Sequence, residues 1–316
     1  MGQIVLAETM GYCWGVRRTL DIIQKAGGRV APIATLGDVI HNPQIVEQLR
    51  TEGVDTAASM EQAVERGFRR VAITAHGAGP ERADEAQQLD LELIDTTCPL
   101  VTKVQRLAQK LVRQGYFLVV YGDAPHPEVR GILGWANTGR SLAAKKRSDL
   151  PWTLPRGSEG DPAAMPPRRV AVVSQTTKNV QELLAFVQDL AELVTPAGGE
   201  LRVCNTICEP TTSRQNALHR LAQDVDIVLA IGGRKSSNTA RLAEVGRSYG
   251  IPSHHIERSD DLDPTWFEGR ARIGITAGAS TPDEVIVAVI SRLQLLGHRA
   301  PEQPFVADTL AMAPAF

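Results

Sequence analysis

The chain has 316 residues, 43% of them hydrophobic and 22% charged, with a formal net charge of −2. That composition belongs to a globular protein long enough for two or three units of roughly 100–150 residues. A near-neutral balance without a Lys/Arg block gives no support for nucleic acid as the main partner. No apolar run approaches the roughly 18–20 residues of a membrane span.

The opening stretch, "MGQIVLAETMGYC", has neither the basic start nor the long apolar core of a secretion signal. Leu6 stands where a myristoylation pattern wants Ser or Thr. The expectation is a cytoplasmic protein. In that reducing setting Cys13, Cys98, Cys204 and Cys208 point to metal binding or catalysis rather than to disulfides.

Along the chain, short β-type runs alternate with helical runs. The strands read "IVLA", "VAPIATLG", "RRVAIT", "LELID", "YFLVVYG", "RRVAVVS", "VDIVLAIG" and "ARIGIT". This βαβα order predicts an α/β fold with mostly parallel sheets. "DTTCPLVTKVQRLAQKL", residues 95–111, sets Cys98 between Thr97 and Pro99 instead of inside an apolar run. Proline suits the first position of a helix, which puts the thiol at a helix N-terminus, where the dipole favours an anionic sulfur. Such a cysteine is suited to be a ligand or a nucleophile.

The same arrangement recurs. Three cysteines each open a helical stretch: "CWGVRRTLDIIQKA", "CPLVTKVQRLAQKL" and "CEPTTSRQNALHRLA". Each helix leads to a strand ending in glycine and then to a polar loop, "GDVIHNPQIVEQL", "GDAPHPEVRGIL" and "GGRKSSNTARLAEV". Four positions past Gly37, Gly122 and Gly232 lie His41, His126 and Ser236, each 28 positions after Cys13, Cys98 and Cys208. A third set of loops follows an Arg-led strand: "RVAITAHGAGP", "RVAVVSQTTKN" and "RIGITAGASTP". The last reads as a capping box, Thr281-Pro282-Asp283-Glu284. The chain is therefore expected to hold three copies of one α/β unit, near 1–97, 98–205 and 206–300, with a tail at 301–316. The Pro- and Gly-rich stretch near 151–169 reads as a loop inserted in the second copy.

Three copies about a pseudo-threefold would form a trefoil with equivalent loops at its centre, at the C-terminal ends of the strands, where α/β proteins bind ligands. Three thiols would meet there, ringed by His41, His76, His126, Glu128, Gln175, Thr176, Thr177, Ser236, Ser237, Asn238 and Ser280. Helix N-termini at such a centre suit a phosphate or diphosphate. A closed structural site takes four ligands, so three cysteines leave one coordination position open. Iron–sulfur is favoured over zinc because no histidine shares a short motif with a cysteine and no C-x-x-C occurs. Cys204, four before Cys208, is a candidate fourth ligand, but the 28-residue register selects Cys208.

The stretches "GYCWGV", "VIHNPQIVEQL", "AHGAGP", "DTTCPLVTKV", "HPEVRG", "SQTT", "ICEPTTSRQ", "KSSNTARL" and "TAGASTPD", in this order, resemble the LytB family of 4-hydroxy-3-methylbut-2-enyl diphosphate reductases. The resemblance spans about residues 3–297. It implies a three-lobed α/β fold around a [4Fe–4S] cluster held by Cys13, Cys98 and Cys208, with one open iron for the substrate's allylic hydroxyl. It also implies a diphosphate site made by His41, His76, His126, Ser236, Ser237, Asn238 and Ser280. Glu128 matches the proton-relaying carboxylate, and Thr176 the hydroxyl that places the substrate's OH; His126 counts in the catalytic set as well. A ferredoxin or flavodoxin is the implied electron donor, and the chain carries no nucleotide-binding fingerprint that could supply a hydride.

The residues themselves leave two other readings open. One is a three-cysteine zinc enzyme acting on a phosphorylated substrate. The other is a cluster protein without catalysis, an electron carrier or redox sensor in which Cys204 completes the ligation. Two positions depart from the family pattern: Trp14, where a small residue is usual, and Gly79, where serine is usual. His254 and His255 lie in no motif and read as structural or exposed.

Overall fold

The computed structural model describes residues 1–27, 31–137, 139–153 and 165–305. Most of the insertion read near 151–169 and most of the tail lie outside the described residues. The chain opens with β1 (Gln3–Leu6), α1 (Trp14–Ala26), β2 (Ile33–Leu36), α2 (Pro43–Thr51) and β3 (Val54–Ala57). Then come α3 (Met60–Glu65), β4 (Arg70–Ile73), α4 (Glu81–Gln88), β5 (Glu92–Asp95), α5 (Pro99–Arg113), β6 (Phe117–Tyr121) and α6 (Pro127–Ala136). β7 (Ser141–Ala144), β8 (Arg169–Ser174), α7 (Val180–Val194) and β9 (Glu200–Val203) follow. α8 (Glu209–Leu221), β10 (Ile227–Ile231), α9 (Ser237–Ser248), β11 (Ser253–Ile256), β12 (Arg272–Ala277) and α10 (Asp283–Leu295) complete the described order.

Among the described residues the strands fall into three sets of four. By its internal contacts the chain divides into two units, Met1–Thr56 with Glu209–Phe316, and Ala57–Cys208. In the second unit one sheet has the order β7-β6-β8-β9, all parallel. In the first unit the order β11-β10-β12-β1 is equally parallel. The two orders are the same, with β1 in the place of β9. The opening "IVLA", grouped by sequence with the first repeat, thus completes the sheet of the last one. The remaining strands repeat the pattern in halves. β2 adjoins β3 through the Ile33 N–H to the Gly53 carbonyl at 3.1 Å, and β4 pairs in parallel with β5. Each ligand-type cysteine therefore follows a fourth strand: β1 before Cys13, β5 before Cys98, β9 before Cys208.

Strand periodicity explains the layering. In the second unit, Leu118, Val120, Ala171 and Val173 face α5 and α6 through Val104, Ala108, Leu111, Val129 and Ile132. The alternate residues Val119, Tyr121, Val170 and Val172 pack on α7 through Leu183, Phe186, Leu190 and Leu193. A strand covered on both faces has no polar side, which is why these strands read as continuous apolar runs. The first unit repeats the scheme. Leu229, Ile231, Ile273 and Ile275 pack on α10, and Val228 and Ala230 pack on α8 and α9. Leu118 and Leu229 are fully buried, and truncating either to alanine costs about 2–5 kcal/mol.

Candidate functional site

The three register cysteines share one local geometry. Cys13 is the N-cap of α1 and Cys98 the N-cap of α5, both with extended backbone, while Cys208 directly precedes α8. Pro99 takes the first helical position, as its missing N–H allows. Each cysteine N–H is bonded at 3.0 Å to a carbonyl two residues past the end of a strand: Cys13 to Ala279, Cys98 to Ala75, Cys208 to Thr176. The loops that carry these carbonyls turn alike. Thr281 N–H bonds Gly278 O at 3.0 Å, Gly77 N–H bonds Thr74 O at 3.0 Å, and Lys178 N–H bonds Gln175 O at 3.2 Å. The repeat is thus reproduced at the level of single hydrogen bonds. All three cysteines are half-buried and no disulfide joins them. Each of the three thiols thus stands at the N-terminus of a helix, where the dipole favours an anionic sulfur.

Cys204 is different. Its N–H continues the β8–β9 ladder to the Val172 carbonyl at 2.9 Å, and its side chain packs on the apolar layer under α5 and α6. It is a half-buried thiol at the edge of that layer and has no counterpart beside Cys13 or Cys98.

The second set of loops supplies helix caps. His126 caps α6, its Nδ1 accepting the Glu128 N–H at 3.2 Å. Ser236 caps α9, its Oγ accepting the Thr239 N–H at 3.3 Å and the Thr239 hydroxyl at 3.0 Å. In the first copy the cap is Asn42, whose Oδ1 accepts from the N–H groups of Gln44 at 3.0 Å and Ile45 at 3.1 Å. His41 stands one residue before that cap, so the count of four from glycine reaches it one position short of the structural equivalent. Its backbone carbonyl lies hard against Gly233, where any Cβ would collide with it. Burial lowers the His41 pKa, Lys235 lowers it further, and Asp38 opposes both. Ser237 follows the cap on the first turn of α9. Asn238 is buried, and neither atom of its amide has a hydrogen-bond partner among the described residues. Ser280 is buried in the third loop of the same unit, beside Ala279.

The third loops complete the picture. His76 follows Ala75, which holds Cys98; its Nδ1 is 3.2 Å from the Thr74 hydroxyl, and its ring meets the ring of His126 edge-on at 5.4 Å. Thr176 donates its N–H to one carboxylate oxygen of Glu128 at 2.6 Å and its hydroxyl to the other at 2.9 Å. Glu128 is 2% exposed. Burial pushes its pKa up to about 7, against the downward pull of the two Thr176 hydrogen bonds and of Lys178. Gln175 accepts the Asp123 N–H at 3.1 Å and donates to the Thr177 hydroxyl at 3.1 Å.

One unit therefore gathers Cys98, Cys208, His76, His126, Glu128 and Thr176, and the other carries Cys13, His41, Ser236, Ser237, Asn238 and Ser280. The expected capping box at Thr281 is not formed. The Thr281 hydroxyl instead donates to the Ile231 carbonyl at 2.8 Å, and α10 starts at Asp283 with Pro282 as its N-cap. At Gly79 the Glu81 carboxylate lies where a Cβ would stand. His255 is structural as expected, its Nε2 lying 2.9 Å from the Gly232 carbonyl, and His254 stacks on Trp266 at 3.7 Å. Sequence reading missed Arg214, a buried guanidinium whose Nη2 and Nε donate to the Gly11 carbonyl at 2.7 and 3.2 Å. It anchors the turn that leads to Cys13, and only its place in "TTSRQ" hinted at it.

Parallel α/β sheets, a cysteine at the head of a helix three times over and a buried carboxylate held by Thr176 define an α/β enzyme class. The family model for LytB protein matches residues 4–294. The chain belongs to the LytB family. It is 39% identical over 297 residues to the 4-hydroxy-3-methylbut-2-enyl diphosphate reductase of Geotalea daltonii, covering 92% of this chain and 97% of that one. It is also 39% identical to the Geobacter sulfurreducens protein of the same name, with the same coverage. A solved (E)-4-hydroxy-3-methyl-but-2-enyl diphosphate reductase, described as the terminal enzyme of the non-mevalonate pathway, matches at a TM-score of 0.64 and 35% identity. The match covers 93% of this chain and all of that one. The Plasmodium falciparum reductase structure, at 23% identity and a TM-score of 0.80, shares the fold.

Proposed function

We propose that the chain reduces 4-hydroxy-3-methylbut-2-enyl diphosphate to isopentenyl and dimethylallyl diphosphate, with two electrons and two protons entering and the allylic hydroxyl leaving as water. The reading is carried by one continuous linkage: Cys208 N–H to Thr176 carbonyl, and Thr176 N–H and hydroxyl to the Glu128 carboxyl. It ties a cluster ligand, a substrate-placing hydroxyl and an acid into one rigid piece.

Cys13, Cys98 and Cys208 would hold a [4Fe–4S] cluster, which would supply Lewis acidity and a path for electrons. His41, His76, His126, Ser236, Ser237, Asn238 and Ser280 take the diphosphate. Imidazole N–H groups, hydroxyls and the N-termini of α6 and α9 donate to its oxygens without a Lys/Arg clamp. Glu128 holds a proton near neutral pH and delivers it toward the departing oxygen, the role a general acid with a pKa near the working pH performs best. Thr176 keeps that carboxyl in one orientation and its hydroxyl is within reach of the substrate's OH. Electrons arrive singly from a ferredoxin- or flavodoxin-type donor in the cytoplasm. No helix among the described residues is long and apolar enough to cross a membrane.

The test is made on anaerobically purified protein, by iron and sulfide analysis and by oxidation of a reduced viologen on addition of the allylic diphosphate. About four irons per chain, the content of a [4Fe–4S] cluster, with dye oxidation only in the presence of substrate is the expected result. A colourless zinc protein, or a cluster protein indifferent to this substrate, overturns the reading.

A further inference from the structure

We propose that Gln105 and Trp135 are positioning residues for His76, acting through the Ala78 carbonyl and thereby setting the affinity for the diphosphate end of the ligand. The inference rests on the diphosphate reading given above and extends it to two residues outside the ligand ring.

The loop 74–80 carries His76 between two fixed points. Before it, the Thr74 hydroxyl meets the His76 ring at Nδ1, and the Gly77 N–H closes a turn on the Thr74 carbonyl. After it, the Ala78 carbonyl accepts two side-chain N–H groups, from Trp135 Nε1 at 3.0 Å and from Gln105 Nε2 at 3.3 Å. Gln105 is 3% exposed and lies on α5, whose N-cap is Cys98. Trp135 lies in the last turn of α6, whose N-cap is His126. The two helices that present a cysteine and an imidazole at their N-termini thus also clamp the loop that presents the second imidazole.

Packing sets the loop close against α6. A Cβ on Gly131 would stand 3.4 Å from Ala78 Cα, and one on Gly134 would stand 3.0 Å from Gly79 Cα. The loop therefore lies directly on a glycine face of α6. Gly77 has φ +73°, and a Cβ there would come within 2.5 Å of Gln105 Nε2, so this turn has no room for another residue. The product of these constraints is the 5.4 Å edge-on spacing of His76 and His126, close enough for both rings to reach one phosphate group. Without the two donors the half-buried Ala78 carbonyl would lose its side-chain partners, and the loop would relax toward others.

The experiment measures binding of inorganic diphosphate to the holoprotein by calorimetry, together with KM and kcat for the allylic diphosphate. Trp135→Phe keeps an aromatic ring of smaller size and removes the N–H; Gln105→Met keeps the length and removes the amide. Each is expected to weaken diphosphate binding and raise KM by roughly three- to tenfold, the worth of one neutral hydrogen bond, with a smaller change in kcat. In a His76→Ala background the same substitutions should cost no further affinity, since the effect runs through that ring. Equal losses with and without His76, or unchanged affinity in either folded variant, would overturn the inference. Failure of the unmodified protein to bind diphosphate at all would instead remove the functional reading beneath it.

Discussion

Thr176 grips Glu128 at both carboxylate oxygens, at 2.6 Å through its N–H and at 2.9 Å through its hydroxyl, while its own carbonyl holds Cys208 at 3.0 Å. A residue two positions past β8 thus fixes the acid relative to a thiol, with its own N–H, hydroxyl and carbonyl as the links. Glu128 → Gln keeps the shape and loses the proton. Turnover of the allylic diphosphate should fall by about 10²–10⁴, the usual worth of a positioned general acid. Diphosphate affinity, measured separately, should stay within a few-fold.

The pH profile follows from the same pair. Burial holds the Glu128 carboxyl protonated up to about pH 7, so the proton-delivering form is lost as pH rises and activity should decline above neutrality. Thr176 donates to the ionised form and keeps the pKa down. Thr176 → Val, which removes the hydroxyl, should therefore shift the declining limb to higher pH while slowing the reaction. A shift to lower pH in stopped-flow or steady-state profiles would contradict this assignment.

Stability should carry the matching signature. Between 4.5 and about 7 the folded chain keeps a proton that the unfolded chain releases, so this group's contribution falls as pH rises through that window. The penalty is present above neutrality and absent below the unfolded value. Glu128 → Gln should melt higher than the parent at pH 8, by up to about 3 kcal/mol, and converge with it near pH 4.5. Denaturant melts at the two pH values measure the difference.

The cysteines divide by their surroundings. Cys13, Cys98 and Cys208 occupy equivalent positions with equivalent N–H bonds, whereas Cys204 packs on the core beneath α5 and α6. Serine in place of any of the first three should remove most of the iron and the visible absorption. Cys204 → Ala should retain both and cost only about 1 kcal/mol in stability, as a small core truncation does. Metal analysis and a thermal melt distinguish the two classes.

Asn238 buries an amide with no partner among the described residues, an arrangement that costs stability unless a ligand satisfies it. Asn238 → Ala should leave the melting temperature of the ligand-free protein unchanged or raised. Affinity for diphosphate should drop by about tenfold, the loss expected of a hydrogen bond to a charged group. Calorimetry on the same preparation reads both.

Much of this arrangement was legible along the chain because its signals are local. Cys98 before Pro99 gave the start of α5, the 28-residue register matched the three cysteines, and the continuous apolar runs marked strands covered on both faces. Other elements were silent for equally physical reasons. β3, β7, β9 and β11, reading "VDTA", "SLAA", "ELRV" and "SHHI", are short and partly exposed strands with no apolar run to announce them. The helix cap at Asn42 slipped past a count from glycine because the first loop is one residue longer before its helix. Thr281 looked like a cap, yet the Ile231 carbonyl competes for its hydroxyl at 2.8 Å.

The sequence by itself determined the α/β class and the family, because each depends on residue type and spacing, and its 28-residue register is what proposes Cys13, Cys98 and Cys208 as ligands. Tertiary structure alone decided that β1 closes the last sheet, since parallel pairing with β12 joins residues 269 positions apart at Gln3 and Arg272. It alone decided the protonation of Glu128, which depends on burial that no single position encodes. And it alone brought Gln105 and Trp135 onto one carbonyl, a convergence set by how two helices pack and invisible in the spacing between them.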